Sequence, residues 1–239
     1  MDETYYLGAY WGARRETAKQ CAARAEVLFS SVSNVDPSFA CWFQQGSSPK
    51  AALKHPIQTT AGTLEKLLEQ GRDRAVEELG FRLSGWNGEH DDFDASAFDT
   101  TCGGSSQRVR NFWLFDLPTR GPSAKRVLTG PVLANVLKAT ALAWAPDWGV
   151  AMSYAHRDLM EPRRAQKTPH VGWVTYLAHH RGTVPPLPSP VRVEPVQDLG
   201  TLIILTPDRF TVTSPEHVAL AEQVRDRLAA AGLLEPTSP

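Results

Sequence analysis

Tyr5-Tyr6-Leu7-Gly8-Ala9-Tyr10-Trp11-Gly12 reads as a short strand. Aromatic side chains suit a half-buried pleated surface, and Gly12 gives the chain a permissive exit. A periodic helix follows at once, from about Glu16 to Val32. Cys21, Ala25, Leu28, Phe29 and Val32 stand at i, i+4, i+7, i+8 and i+11, one face of an α-helix. The chain therefore opens with a strand and a helix that can pack on each other. No leader is expected before them, because Met1-Asp2-Glu3-Thr4 lacks the basic and apolar regions of a secretory signal.

Outward from that pair, helices and clusters of strands take turns. Phe39–Phe43 is an apolar run that fits either a strand or a short helix. A helix is expected from about Thr63 to Val76, with Leu64, Leu67, Leu68 and Ala75 inward and Thr60 or Thr63 as N-cap. Phe81–Trp86 alternates large and small residues and ends at Asn87-Gly88, a turn pair. Further strands are expected around Ala95–Cys102 and Val109–Leu117. A third helix is expected from Pro131 to Ala145, with proline in the first turn where its missing N–H is harmless. Trp148–Tyr154 and Val171–Leu177 read as strands, separated by a polar, basic connection over Ala155–His170 with Arg157, Arg163, Arg164 and Lys167. A proline-rich loop at Pro185–Pro190 leads to β-rich segments at Val191–Val196 and Gly200–Leu205. Ser214-Pro215-Glu216 opens a last helix with Leu220, Val224 and Leu228 inward and Gly232 as its stop. The tail Glu235–Pro239 is expected to fray. The pattern is α+β: mixed or antiparallel sheets packed with about four helices, as one domain or as two fused lobes, 1–120 and 121–239.

The 239 residues suffice for a sizeable core, and 42% hydrophobic with 21% charged residues is ordinary globular composition. A net charge of -1 speaks against direct nucleic-acid binding, which favours a basic face. No apolar run reaches the roughly 20 residues of a membrane span. Cys21, Cys41 and Cys102 form no CxxC pair and are odd in number, which points to a reducing, cytoplasmic compartment. No cofactor is expected. The chain has no phosphate-binding GxxxxGK[ST], no GxGxxG after a strand, no HExxH and no GxSxG. No lysine has an acid two residues before it, so the carboxylate-x-lysine site of restriction-type nucleases is missing too.

One stretch departs from the average. From Leu83 through Gln107 there is no Lys or Arg, while Glu89, Asp91, Asp92, Asp94 and Asp99 all fall inside it. His90-Asp91-Asp92 with Glu89 and Asp94 offers oxygen and imidazole ligands, but adjacent loop residues rarely converge on one ion. A solvated loop is the plain alternative. The sharper reading is a partner surface. Carboxylates interleaved with Trp86, Phe93 and Phe98 suit a basic protein, Trp86 acting as an anchor and the acids steering association. His179-His180, at the end of a strand, is the other constellation with chemistry in it.

The sequence resembles the immunity protein 52 family of bacterial polymorphic toxin systems. The resemblance rests on Tyr5–Gly12 with Arg15-Glu16-Thr17-Ala18, then Asp36-Pro37-Ser38-Phe39-Ala40-Cys41-Trp42 and Ala51–Pro56. It continues through Phe81–Gly88, Pro146-Asp147-Trp148-Gly149, Gly172–Leu177 and Leu199-Gly200-Thr201. It implies an α+β binding protein, not an enzyme, encoded beside a toxin that it neutralises. The family's partners are typically restriction-endonuclease-fold nucleases, some delivered by type VI secretion. The expected partner-binding residues, from charge alone, are Trp86, Glu89, Asp91, Asp92, Asp94 and Asp99. The competing class is a small hydrolase or metal-dependent enzyme using His179 or His180, or the acids of 89–99.

Overall fold

The computed structural model describes residues 3–160 and 168–236. In chain order the elements are β1 (Tyr5–Trp11), α1 (Ala18–Ser33), a 3-10 turn (Pro37–Phe39), β2 (Trp42–Phe43), α2 (Pro49–Ala52), β3 (Pro56–Ile57), α3 (Ala61–Gln70) and β4 (Phe81–Trp86). Then come β5 (Ala97–Cys102), β6 (Asn111–Asp116), α4 (Pro122–Val127), α5 (Gly130–Trp144), β7 (Trp148–Ser153) and α6 (Tyr154–Met160). The chain closes with β8 (Val174–Ala178), β9 (Arg192–Val196), β10 (Gly200–Ile204) and α7 (Pro215–Ala230). All ten strands join one sheet in the order β3-β2-β4-β5-β6-β1-β7-β8-β10-β9, and every neighbouring pair is antiparallel.

The opening strand lies inside this sheet. β1 is hydrogen-bonded to β6 on one side and to β7 on the other, so the residues before and after position 120 share one sheet. Its side chains alternate between faces. Leu7, Ala9 and Trp11 point toward α1 and α5, where Trp11 stacks on Trp144 at 5.1 Å. Tyr6, Gly8 and Tyr10 point the other way, Tyr6 onto Tyr154 of α6 and Tyr10 onto Trp148. At Gly8 a Cβ would lie 2.4 Å from the Tyr10 hydroxyl, so a larger residue there would have to displace the Tyr10 ring.

The helical face holds an aromatic core. Phe29 of α1 meets Trp42, Phe98 and Trp113, and Trp113 meets Phe98, Phe115 and Trp144. Each such pair adds about 0.5–1.5 kcal/mol beyond the area it buries. α1 begins at a complete capping box: Thr17 Oγ1 accepts from the Gln20 amide and Gln20 Oε1 from the Thr17 amide. α5 packs against α1 as well as the sheet and buries Leu133, Ala134, Val136, Leu137, Thr140, Ala141 and Trp144. That wide apolar surface is what a helix covered on several sides requires.

The expected α+β class with about four substantial helices agrees with α1, α3, α5 and α7; α2, α4 and α6 are too short to show a period. Two expectations need correction. The helix expected over 63–76 runs Ala61–Gln70 and stops at Gly71, which must approach β4: a Cβ there would lie 1.9 Å from the Arg82 carbonyl oxygen. Thr60 stands at its N-cap position without a side-chain cap bond. The basic connection after β7 starts as α6, while Arg163, Arg164 and Lys167 lie outside the described residues, as do positions 237–239 of the tail. Phe39–Phe43 divides between the 3-10 turn and β2. Cys21 and Cys102 are buried, Cys41 is exposed, and all three are free thiols. No described helix is long and apolar enough to cross a membrane.

Candidate functional site

Trp86 is the last residue of β4 and leads into the acidic loop 87–96. The loop is held by its own backbone. The Asn87 amide donates to the Ser96 carbonyl at 2.9 Å, closing its base, and Asn87 Nδ2 donates to the Ser38 carbonyl. Asp91 Oδ1 accepts from the Phe93 amide at 3.0 Å and the Asp91 carbonyl from the Asp94 amide, an Asx turn. The Phe93 carbonyl accepts from the amides of Thr119 and Arg120, and the Arg120 guanidinium lies 3.5 Å above the Phe93 ring. A loop tied down in this way presents its side chains without a large ordering cost on binding.

The expected residues divide into three groups. Asp91 and Asp92 are exposed, Glu89 is partly so, and Trp86 stands half-buried beside them. Asp94 is turned inward. It is buried, and its Oδ1 accepts from the amides of Ser123 at 2.8 Å and Ala124 at 3.2 Å, satisfying the free first-turn donors of α4. Asp99 is exposed on β5, where desolvation raises its carboxyl above the ordinary carboxylate range despite Arg82 nearby. It lines a separate cleft of about 400 Å³ with Arg82, Ser84 and Gln70. Phe98 is a core residue, and Phe93 is about half exposed.

Two clefts share Trp86 and Asp92 as a common wall. One, of about 390 Å³, is lined by residues 45–49 and Ala52. The other, of about 410 Å³, is lined by Thr4, Tyr5, Ser96, Ala97, Asp116 and Tyr154, among others. In the second, Trp86, Ala97 and Asp116 lie in register across β4, β5 and β6 and point to the same face. Asp116 Oδ1 accepts from the Tyr154 hydroxyl at 2.8 Å. Burial first, and that bond second, push the Tyr154 phenol well above its ordinary value, so it remains the donor. Asp116 and Tyr154 were invisible as site residues in the sequence. Strand alternation sets the parity of Asp116, but only the cross-strand pairing brings it opposite Trp86.

The histidine pair sits elsewhere. His179–Arg181 forms a 3-10 turn after β8, and His180 Nε2 lies 3.2 Å from Asp147 Oδ1, while Asp147 Oδ2 accepts from the Gly12 amide. Sequence reasoning missed Asp147, which is brought in by the end of α5. The adjoining cleft, about 220 Å³, is lined by Ala145, Pro146, Tyr176, Ala178, Asp198 and Leu199 besides the histidines. Its one hydroxyl, on Tyr176, donates to the Leu199 carbonyl and is pushed up to about 12 by burial. A base with an orienting carboxylate is therefore present without an activated nucleophile beside it. Among the described residues, no group of three His, Cys, Asp or Glu side chains is placed to hold a metal ion.

The family model described as Immunity protein 52 matches residues 3–237, nearly the whole chain. The chain belongs to that family. Immunity protein 52 chains are by that description immunity proteins, which act by binding a cognate toxin. None of the curated proteins compared with this family member matches it in sequence. Among solved structures it is similar to "Pseudomonas aeruginosa T6SS protein PA0821", with a TM-score of 0.56 and 14% identity over 94% of this chain and 72% of that one. At that identity the likeness is one of fold.

Proposed function

We propose that this immunity protein neutralises its toxin by occlusion, through the face formed by Trp86, Glu89, Asp91 and Asp92, and that the toxin is a nuclease. It acts in the cytoplasm of the producing cell as a binder, without catalysing a reaction, and its toxin belongs to a type VI secretion system. The observation that carries the reading is the shared wall of Trp86 and Asp92 between two clefts, beside a pre-ordered acidic loop. A nuclease surface is basic because it binds phosphates, so exposed carboxylates around an aromatic anchor complement it. Asp94, spent on α4, and Asp99, on the separate cleft, fall outside the proposed contact.

A neutralising complex needs slow dissociation, hence a well-packed interface of roughly 1,600 Å² or more. The test combines Trp86→Ala, Asp91→Ala and Asp92→Ala and uses the toxin encoded by the neighbouring gene. Loss of a central anchor is expected to weaken binding about 100-fold, flatten its salt dependence and abolish rescue of toxin-expressing cells. Unchanged affinity together with full rescue would remove this face from the reading.

A further inference from the structure

We infer that the cleft over Ala97 receives one arginine side chain of the toxin, its guanidinium stacked on Trp86 and paired with Asp92 and Asp116. The inference rests on the proposed docking face and names the group that enters it. The register sets the shape. Trp86, Ala97 and Asp116 are consecutive partners on β4, β5 and β6. Strands lie about 4.8 Å apart, so the backbones that carry the indole and the carboxylate flank the short Ala97 at a separation of roughly 10 Å. That leaves a slot for one flat group between them.

The charges and acceptors match a guanidinium. Asp92 is exposed and makes no hydrogen bond or ion pair among the described residues. Asp116 spends one oxygen on Tyr154 and leaves the other for a donor. Ser96 lines the same cleft but its Oγ is closed off from it, so recognition falls to the two carboxylates and the indole. An arginine offers five donors in a plane and stacks on aromatic faces, whereas a lysine ammonium is a hydrated point charge that does neither. The neighbouring cleft, beside Gly46–Pro49, has no second carboxylate among its lining residues.

The first measurement titrates the free protein with N-acetyl-arginine amide and follows the Trp86 indole N–H resonance, assigned by its loss in Trp86→Phe. The lysine and citrulline amides serve as controls. The expected result is a saturable shift at millimolar concentration with the arginine probe, several-fold weaker for lysine and absent for neutral citrulline. Asp92→Asn and Asp116→Asn should each weaken it at least 5-fold. Asp116→Asn keeps an acceptor for Tyr154, so its thermal midpoint should match the parent. Equal shifts with citrulline, or none with arginine up to 50 mM, overturn the arginine slot. The second measurement is toxin binding. A large loss in Asp92→Asn/Asp116→Asn supports the slot. If the toxin binds that double variant unchanged but not Trp86→Ala, the docking face stands and the slot is wrong. If it binds Trp86→Ala unchanged as well, the face itself is wrong.

Discussion

His156 sets an acid limit on the fold that can be measured. Its imidazole is fully buried on α6, its ring lies 4.7 Å from that of Phe210, and neither nitrogen has a hydrogen-bond partner. Burial lowers its pKa from 6.5 to about 4, against the weaker opposite pull of Glu3 and Glu222. The unfolded chain therefore takes up a proton near pH 6.5 that the folded chain refuses until about pH 4. Stability is intact above the unfolded value and falls as the pH drops between the two, by about 1.4 kcal/mol per pH step. From pH 7 to pH 5 that amounts to roughly 2 kcal/mol. Glu3 and Asp36 are also held below their ordinary values of 4.5 and 3.8, and what they contribute is lost only in stronger acid. Between pH 7 and 5 the difference between the parent and a variant without the imidazole therefore reads the histidine. Urea unfolding of the parent and of His156→Phe at the two pH values is the assay. The parent should lose about 2 kcal/mol and the variant less than half of that. Equal losses in both would refute the assignment of this pH dependence to a buried neutral imidazole.

Asp94→Ala should lower stability by about 1–2 kcal/mol, since the amides of Ser123 and Ala124 lose their acceptor; Asp91→Ala should stay within about 1 kcal/mol, and paired thermal melts decide it. Gly71→Ala forces a Cβ against the Arg82 carbonyl and should cost about 2–3 kcal/mol by denaturant titration. A thiol-reactive dye should label the native protein at Cys41 alone, because Cys21 and Cys102 are buried and a hydrogen bond with the Cys21 thiol, with burial, pushes the Cys102 thiol well up. Peptide mapping after brief labelling checks this, and rapid modification of Cys102 would contradict the packing.

The parts of the fold legible in the sequence were those decided locally. Phe81–Trp86 was bounded by its alternation and its Asn-Gly turn, and the strand has those limits. Ser214-Pro215 announced α7, where Ser214 Oγ accepts from the His217 amide. Gly232, with φ of +74°, ends that segment as expected. What was illegible depends on distant partners. α4 has a first-turn proline, Pro122, but its capping carboxylate lies some thirty residues upstream, and six residues are too few to show a period. The same contact misled the reading of the site: Asp94 looks like its neighbours in sequence, but the amides of another element claim it. Composition alone marks Trp86, Asp91 and Asp92 as an acidic stretch with an aromatic at its lip, and the exposure of the two acids agrees with a surface position. Asp116 carries no such mark, because its place opposite Trp86 exists only once β5 is inserted between β4 and β6.

The position of β1 has a consequence in time. It is made before every other strand of this sheet, yet it pairs through Tyr6 with Asp116 and through Tyr5 with Ser153, each more than a hundred residues later. At about 5–20 residues per second of synthesis, the strand waits on the order of 5–30 s before both flanks exist. Contacts so far apart in sequence also slow the closing of the sheet itself. The central strand therefore has both partners only once Ser153 has been made, and the sheet is completed later still, by β8 to β10.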